Sequence, residues 1–365
     1  MGAKRSLLGR LWGSCVGAAL AGAALSAVAT NAIAAEKVVF GTPTPIDTAY
    51  AHVTYGMQLG FFEDEGMDVE LVAVRGSGTL LPQVATKQIT FGQPNPDLPI
   101  IALAKGEPFP IRFFYNIWRT QLFEFVVKKD SPIQSIADLE GKKVGVGGLS
   151  WGNIPMTRAM LAAEGLDSEK DVTLLAVGQG PAAWKRFTSG DVAALNLYAQ
   201  QHEMMSLTGV EIRRLHLRPE FRVIPSNGLI AHVDTINEKP ELVAGFGRAY
   251  AKSLVACWAN AEACAKSVWE YDPAQRPPSD QQAKWVSDQA QVILGVKPLM
   301  TQFEEGEPKK WGYYSDQAWT SLISAMKAGG QIQTTDLDIS KLFTNQFVDA
   351  VNDFDAAAVQ AVSRK

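Results

Sequence analysis

The chain has 365 residues, 47% of them hydrophobic and 20% charged, with a formal net charge of −4. An acidic balance argues against a general nucleic-acid binder, which needs a basic surface to neutralise phosphates. Aromatic and branched residues are spread along the whole length, which excludes a disordered chain.

The first residues read as an export leader. Lys4, Arg5 and Arg10 make a basic start, Leu11 to Ala29 carries no charge, and Ala32-Ile33-Ala34 has the small-x-small form that a signal peptidase accepts. A retained anchor would need about 20 apolar residues, and this stretch is dominated by Ala and Gly, which insert weakly. Cys15 stands ahead of the apolar stretch, behind bulky Trp12, so lipid attachment is not expected. Removing these 34 residues, three basic and none acidic, leaves 331 and moves the net charge from −4 to −7. No later segment has the apolar length of a span. The mature chain is expected to be soluble and long enough for two compact lobes.

The elements then alternate. Lys37 to Gly41 reads as a strand, closed by Thr42-Pro43-Thr44-Pro45, and Ala51 to Glu65 has helical spacing ended by Gly66. Asp68 to Val74 alternates as a half-buried strand. Gly76-Ser77-Gly78 turns the chain into a helix near Thr79, and Ile89-Thr90-Phe91 is a further strand. After a helix near Asp97 to Lys105, two more strands are expected at Ile111–Tyr115 and Phe123–Val127. This order implies an α/β unit with a mostly parallel sheet covered by helices. A second unit follows. Lys143–Val146 is a strand, Asn153 to Glu164 a helix, Val172–Ala176 a strand, and a helix surrounds Trp184-Lys185-Arg186-Phe187. Val192–Leu197 and Gly228–Ala231 are strand-like, and long helical stretches close the chain beyond Asn237.

Two cysteines remain after the leader, Cys257 and Cys264. An even number in an oxidising compartment suggests a bridge. On one unbroken helix their Cα atoms would lie about 10 Å apart, too far to bond. Asn260 between them can stop one helix and cap the next. A disulfide is expected if it does, and two buried thiols if it does not.

Phe61-Phe62-Glu63-Asp64-Glu65-Gly66-Met67-Asp68-Val69-Glu70-Leu71-Val72 resembles a passage of the substrate-binding proteins of the nitrate/sulfonate/taurine type and of their pyrimidine-precursor-binding relatives. Asp130-Ser131-Pro132-Ile133 and Ala137 to Val146 are similar to the phrase that opens their second lobe, and Glu241 to Pro273 to their late helical pair. The resemblance runs through nearly the whole mature chain in order. It implies the two-lobed type II periplasmic-binding-protein fold, with two strand crossings near Val126 and Gly228 and a ligand cleft between the lobes. Lobe I would comprise residues 35–126 and 229–365, and lobe II residues 127–228. It further implies a periplasmic component of an ABC importer, whose partners are a small-molecule ligand and a membrane permease, acting as a monomer without cofactor. A sensory binding protein and an enzyme of the same fold are the alternatives. The enzyme would depend on a segment rich in cysteine and histidine, and the two mature cysteines sit in the late helices instead.

In open α/β sheets ligands bind beyond the carboxyl ends of strands, where helix N-termini offer free N–H groups to anions. Three loops stand there. Gly76-Ser77-Gly78-Thr79 offers two hydroxyls ahead of a helix, Gly148 to Asn153 adds Ser150 and the face of Trp151, and Thr44-Pro45-Ile46-Asp47 is expected to line the floor. Singly, each is an ordinary turn with capping residues; their equivalent positions in two units make them candidates. Gln93, Asn95, Asn116, Gln179, Tyr198 and Asn227 each place a polar group just past an apolar strand, suited to orienting a small ligand. Trp118 and Trp184 read equally well as core. His52, His202, His216 and His232 have no metal spacing, and Gly145-Val146-Gly147-Gly148 lacks the third glycine of a dinucleotide fingerprint. With Arg75 alone near these loops, a guanidinium clamp is not assured. The expected ligand is a small organic anion, sulfonate or carboxylate, with an apolar or aromatic part; a pyrimidine-like heteroaromatic is the alternative. Sequencing the N-terminus of exported protein should find Ala35 or Glu36 first. Recovery of Met1 or Gly2 on that material would contradict the leader.

Overall fold

A computed structural model describes residues 35–364; the leader expected at residues 1–34 lies outside them. Among the described residues the strands form two five-stranded sheets. The first is ordered β2-β1-β3-β10-β4, from β1 (Glu36–Thr42), β2 (Met67–Ala73), β3 (Phe91–Gly92), β4 (Ile111–Asn116) and β10 (Gly228–His232). The second is ordered β7-β6-β8-β5-β9, from β5 (Phe123–Lys128), β6 (Lys143–Val146), β7 (Thr173–Ala176), β8 (Ala194–Tyr198) and β9 (Ile212–Arg214). Period-two alternation sets β2 at a sheet edge: Met67, Val69 and Leu71 are buried while Asp68 and Glu70 are exposed.

The sheets are mixed rather than mostly parallel. β1 runs parallel to β2 and β3, and β6 parallel to β7 and β8. β10 is antiparallel to β3 and β4, and β5 is antiparallel to β8 and β9. The reason is topological. β5 and β10 each enter a sheet from the other one, so they arrive from the end opposite to a strand delivered by a covering helix. The first crossing accordingly lies at residues 117–122, before β5, and not at Val126, which pairs with Leu195 inside the second sheet. The second occupies residues 215–227. The crossings bond to each other, Trp118 N–H donating to Asn227 O, Ser226 N–H to Trp118 O and Gln121 N–H to Arg222 O.

Helices cover both sheets: α1 (Ala51–Gln58), α2 (Ser77–Ala85), α3 (Asp97–Ala104), α4 (Ile154–Ala163), α5 (Pro181–Thr188) and α6 (Ala199–Leu207). The helix expected from Ala51 to Glu65 stops early because Gly60 takes a left-handed conformation (φ 77°) and Phe61 N–H closes back on Gly56 O. After β10 come α7 (Val233–Glu238), α8 (Pro240–Ala259), α9 (Ala261–Tyr271) and α10 (Gln282–Gly295). α8 drives Phe246 against the first sheet, its ring stacked on Phe91 at 4.3 Å. None of the described helices is long and apolar enough to cross a membrane.

Asn260 breaks the late helix. Its backbone is non-helical (φ −143°, ψ 74°), and its side chain caps α9 by accepting from Ala263 N–H. The break brings the Cα atoms of Cys257 and Cys264 to 5.0 Å, and the sulphurs are bonded. So short a loop removes little unfolded-chain entropy, and replacing both cysteines by serine should cost on the order of 2 kcal/mol of unfolding free energy. Thiol counting on a denatured, unreduced chain of residues 35–365 should find no free cysteine; two would contradict the bridge.

Candidate functional site

The cleft lies where the carboxyl ends of both sheets meet. Its walls carry five aromatic side chains, Tyr50, Trp118, Phe123, Trp151 and Tyr198, and five carboxamides, Gln93, Asn95, Asn153, Gln200 and Asn227. Thr44 and Ser77 add hydroxyls, and among the described residues no lysine, arginine, histidine or carboxylate lines the cleft. Trp151 is held flat over the backbone of Gly147, where a Cβ would stand 2.1 Å from its ring. Its other neighbours are Tyr198, 6.0 Å away at 31°, and Phe123, edge-on at 6.3 Å.

The polar groups form a chain that fixes their orientation. Ser77 Oγ accepts from Asn95 N–H at 3.1 Å, Asn227 Nδ2 donates to Gln93 O at 3.0 Å, and Tyr250 Oη donates to Gln93 Oε1 at 3.1 Å. On the other wall Asn153 Nδ2 points to Thr157 and Asn196. Two acceptors are left over: Asn153 Oδ1 and Gln200 Oε1 are buried with no protein partner. Leaving such atoms unpaired costs about 1–3 kcal/mol each.

At each helix start one N–H is spent on protein. At α2, Gly78 N–H donates to Ser150 O across the cleft at 3.3 Å. At α4, Met156 N–H donates to Asp97 Oδ2 at 2.9 Å, from a residue 59 positions earlier in the chain. Backbone contact this close demands glycine: a Cβ on Gly76 would sit 2.7 Å from Ser150 O, and one on Gly152 would sit 2.6 Å from Ser77 Oγ. Two carboxyls flank the cleft, and burial raises both. Asp97 is pushed up to about 8, against the bond from Met156 that lowers it. Asp47 rises to about 6, and its Oδ2 receives Gln179 Nε2 at 3.4 Å.

A family model described as NMT1/THI5 like matches residues 47–263. The chain belongs to that family. This NMT1/THI5-like chain is 27% identical over 250 residues to the riboflavin-binding protein RibY of Chloroflexus aurantiacus, a match covering 68% of each chain. Among solved structures it is similar to the periplasmic nitrate-binding protein NrtA of Synechocystis PCC 6803, at 14% identity and TM-score 0.60 over 90% of this chain and 98% of that one. It is also similar to the alkanesulfonate-binding protein SsuA of Xanthomonas axonopodis pv. citri, at 15% identity and TM-score 0.59 over 84% and 98%. These likenesses identify the fold as the two-lobed periplasmic-binding-protein fold.

Seven expected site residues reach the cleft of this NMT1/THI5-like chain: Thr44, Ser77, Gln93, Asn95, Trp151, Tyr198 and Asn227. Six stand outside its lining. Asp47 caps the turn after β1 by accepting from Ala49 N–H, and Pro45 beside it is exposed. Gln179 ties Asp47 to Tyr198 Oη, so it supports the wall from behind. Thr79 and Ser150 are exposed, and both hydroxyls donate to Arg75 O. Asn116 Nδ2 is turned to Tyr313 O, in a loop that the buried Arg119–Glu307 pair pins beside the first crossing. Tyr50, Phe123 and Gln200 were not singled out from sequence, Trp118 read equally well as core, and Asn153 closes the Gly148–Asn153 loop without having been chosen within it.

Gly148-Leu149-Ser150-Trp151-Gly152 has the letters Gly-x-Ser-x-Gly of a hydrolase elbow. The geometry differs. α4 begins only at Ile154, and the hydroxyl of Ser150 is turned to Arg75 O rather than to a histidine.

The buried Asp97 carboxyl makes the folded protein pH-sensitive. With its value raised from 3.8 to about 8, its contribution is full below 3.8 and is lost as pH climbs through about 8. Asp97→Asn keeps an acceptor for Met156 N–H and removes that titration. The melting temperature of the parent should fall more steeply between about pH 4 and pH 8 than that of the variant, whose remaining slope includes Asp47. Parallel profiles would contradict the assignment.

Proposed function

We propose that this chain is the extracytoplasmic solute-binding component of an ABC importer and that it closes on an uncharged, flat heteroaromatic ligand bearing N–H or O–H donors. The observation that carries the reading is the pairing of an aromatic cleft without any cation with two buried, unpartnered carboxamide oxygens. A ring slotted beside Trp151 would remove aromatic area from water, and its donors would satisfy Asn153 Oδ1 and Gln200 Oε1. The relative named as riboflavin-binding supports a ligand of this class. The importer role rests on the family and on the fold, and the Cys257–Cys264 bridge fits an oxidising compartment such as the periplasm.

A sulfonate or carboxylate fits less well. At each helix start expected to receive it one amide donates instead to Ser150 O or Asp97, and no lining residue supplies a positive charge. Closure is a population shift: ligand favours the arrangement in which both walls touch it.

The reading is tested by thermal shift and calorimetry on the mature chain with riboflavin, uracil, nitrate, taurine and a short alkanesulfonate. A ring compound should bind and the three anions should not. Trp151→Ala should weaken that binding by about 1–3 kcal/mol, while Ser150→Ala should leave it nearly unchanged. Stabilisation by an anion with no response to either ring compound would overturn the proposal.

A further inference from the structure

Asn153 caps the start of α4 and Thr157 stands one turn into it, so their side chains lie on one face. Both are 1% exposed. Both reach Asn196, which is fully buried in β8 and paired with Phe125 and Val146 of the neighbouring strands. Asn153 lines the cleft, whereas Thr157 and Asn196 do not. Asn153 Nδ2 donates to Thr157 Oγ1 at 3.2 Å and to Asn196 Oδ1 at 3.3 Å, which spends both of its hydrogens. Thr157 Oγ1 has two acceptors in reach, Asn196 Oδ1 at 2.7 Å and Asn153 O at 3.0 Å. Asn153 Oδ1 is left for the cleft, and Asn196 Nδ2 has no protein partner.

We propose that Thr157 and Asn196 are positioning residues, which fix the end of the Asn153 carboxamide that faces the ligand and so select a donor there over an acceptor. A carboxamide accepts at one end and donates at the other. Turning Asn153 alone would set its oxygen against Asn196 Oδ1 with no proton between them. Turning both side chains together restores a bond between the amides and gives the cleft an N–H in place of the oxygen. The pair therefore has two self-consistent arrangements, and Thr157 decides between them. Its 2.7 Å contact with Asn196 has the usual length of an O–H···O bond and lies at the short limit for N–H···O. The hydroxyl has a single hydrogen. Given to Asn196 Oδ1, it leaves only lone pairs for Asn153, which must answer with Nδ2. The effect on ligand choice rests on the cleft reading proposed above; the orientation itself does not.

The orientation is tested without a ligand. Neutron diffraction from deuterated crystals of residues 35–365 should place both side-chain deuterons of Asn153 on the atom facing Thr157 and Asn196, and none on the atom facing the cleft. In Thr157→Val, which keeps the volume and loses the hydroxyl, deuterium should be divided between the two ends. Thr157→Ser should restore the single orientation. Deuterons on the cleft-facing atom of the parent, or an undivided orientation in Thr157→Val, would overturn the proposal. Ligand choice is measured with uracil, whose ring N–H groups donate, and pyrimidine, whose ring nitrogens only accept. The parent and Thr157→Ser should prefer uracil, and that preference should fall by about tenfold or more in Thr157→Val. Equal weakening of both compounds would reduce Thr157 to a support of the wall and overturn its part in selection. Failure of every ring compound to bind the parent would count against the ligand class and leave the neutron result to decide the orientation.

Discussion

Two helix starts face the opposite wall of the cleft, and each spends a backbone N–H there: Gly78 on Ser150 O and Met156 on Asp97. Unpaired amides at a helix N-terminus are costly when buried and attractive to anions when open. Here the protein itself meets one of them at each start. The two walls are thereby drawn into contact that only Gly76 and Gly152 permit, and the same bonds take one amide at each start away from an anion. What is left for a ligand is aromatic surface and carboxamide. The paired crossings, Trp118 against Asn227 and Ser226, hold these walls in register.

Desolvation makes the same choice electrostatically. Asp97 and Asp47 border the cleft, and burial raises both toward the neutral form. His52 behind it is likewise held neutral. A cleft whose lining carries no charged side chain offers little to a charged guest, because an ion entering it would lose its water without gaining a partner. Hydrogen bonds in such surroundings are stronger per bond than in water, and unmet ones more costly. The orientation of Asn153 and Gln200 should therefore matter more to selectivity than any single charged residue near the rim.

Much of this could be read along the chain. The alternation of Met67, Val69 and Leu71 is a local property, as are the turn at Gly76-Ser77-Gly78 and the stop at Asn260, and each lies where expected. The strand-end loops do converge. Sequence could not tell which of their groups would be consumed by the other wall. Ser150 and Arg75 are 75 residues apart, and Asp97 and Met156 are 59 apart, so no local pattern announces these pairings. β9 has only Ile212, Arg213 and Arg214 and no alternation to find. Trp118 was ambiguous for a similar reason: it is 2% exposed, as a core residue would be, yet it lines the cleft because the crossing runs along the cleft wall. The antiparallel β5 and β10 follow from long-range topology, which element order alone does not specify.

The claim on which the account turns is that the helix-start amides serve the seam and the carboxamides serve the ligand. A crystal structure of the mature chain saturated with its best-binding ring compound tests it most directly. The account predicts that Ser150 O remains on Gly78 N–H and Asp97 on Met156 N–H, with the ring beside Trp151 and its donors on Asn153 Oδ1 and Gln200 Oε1. A ligand oxygen found in place of Ser150 O or the Asp97 carboxyl at either helix start would contradict it.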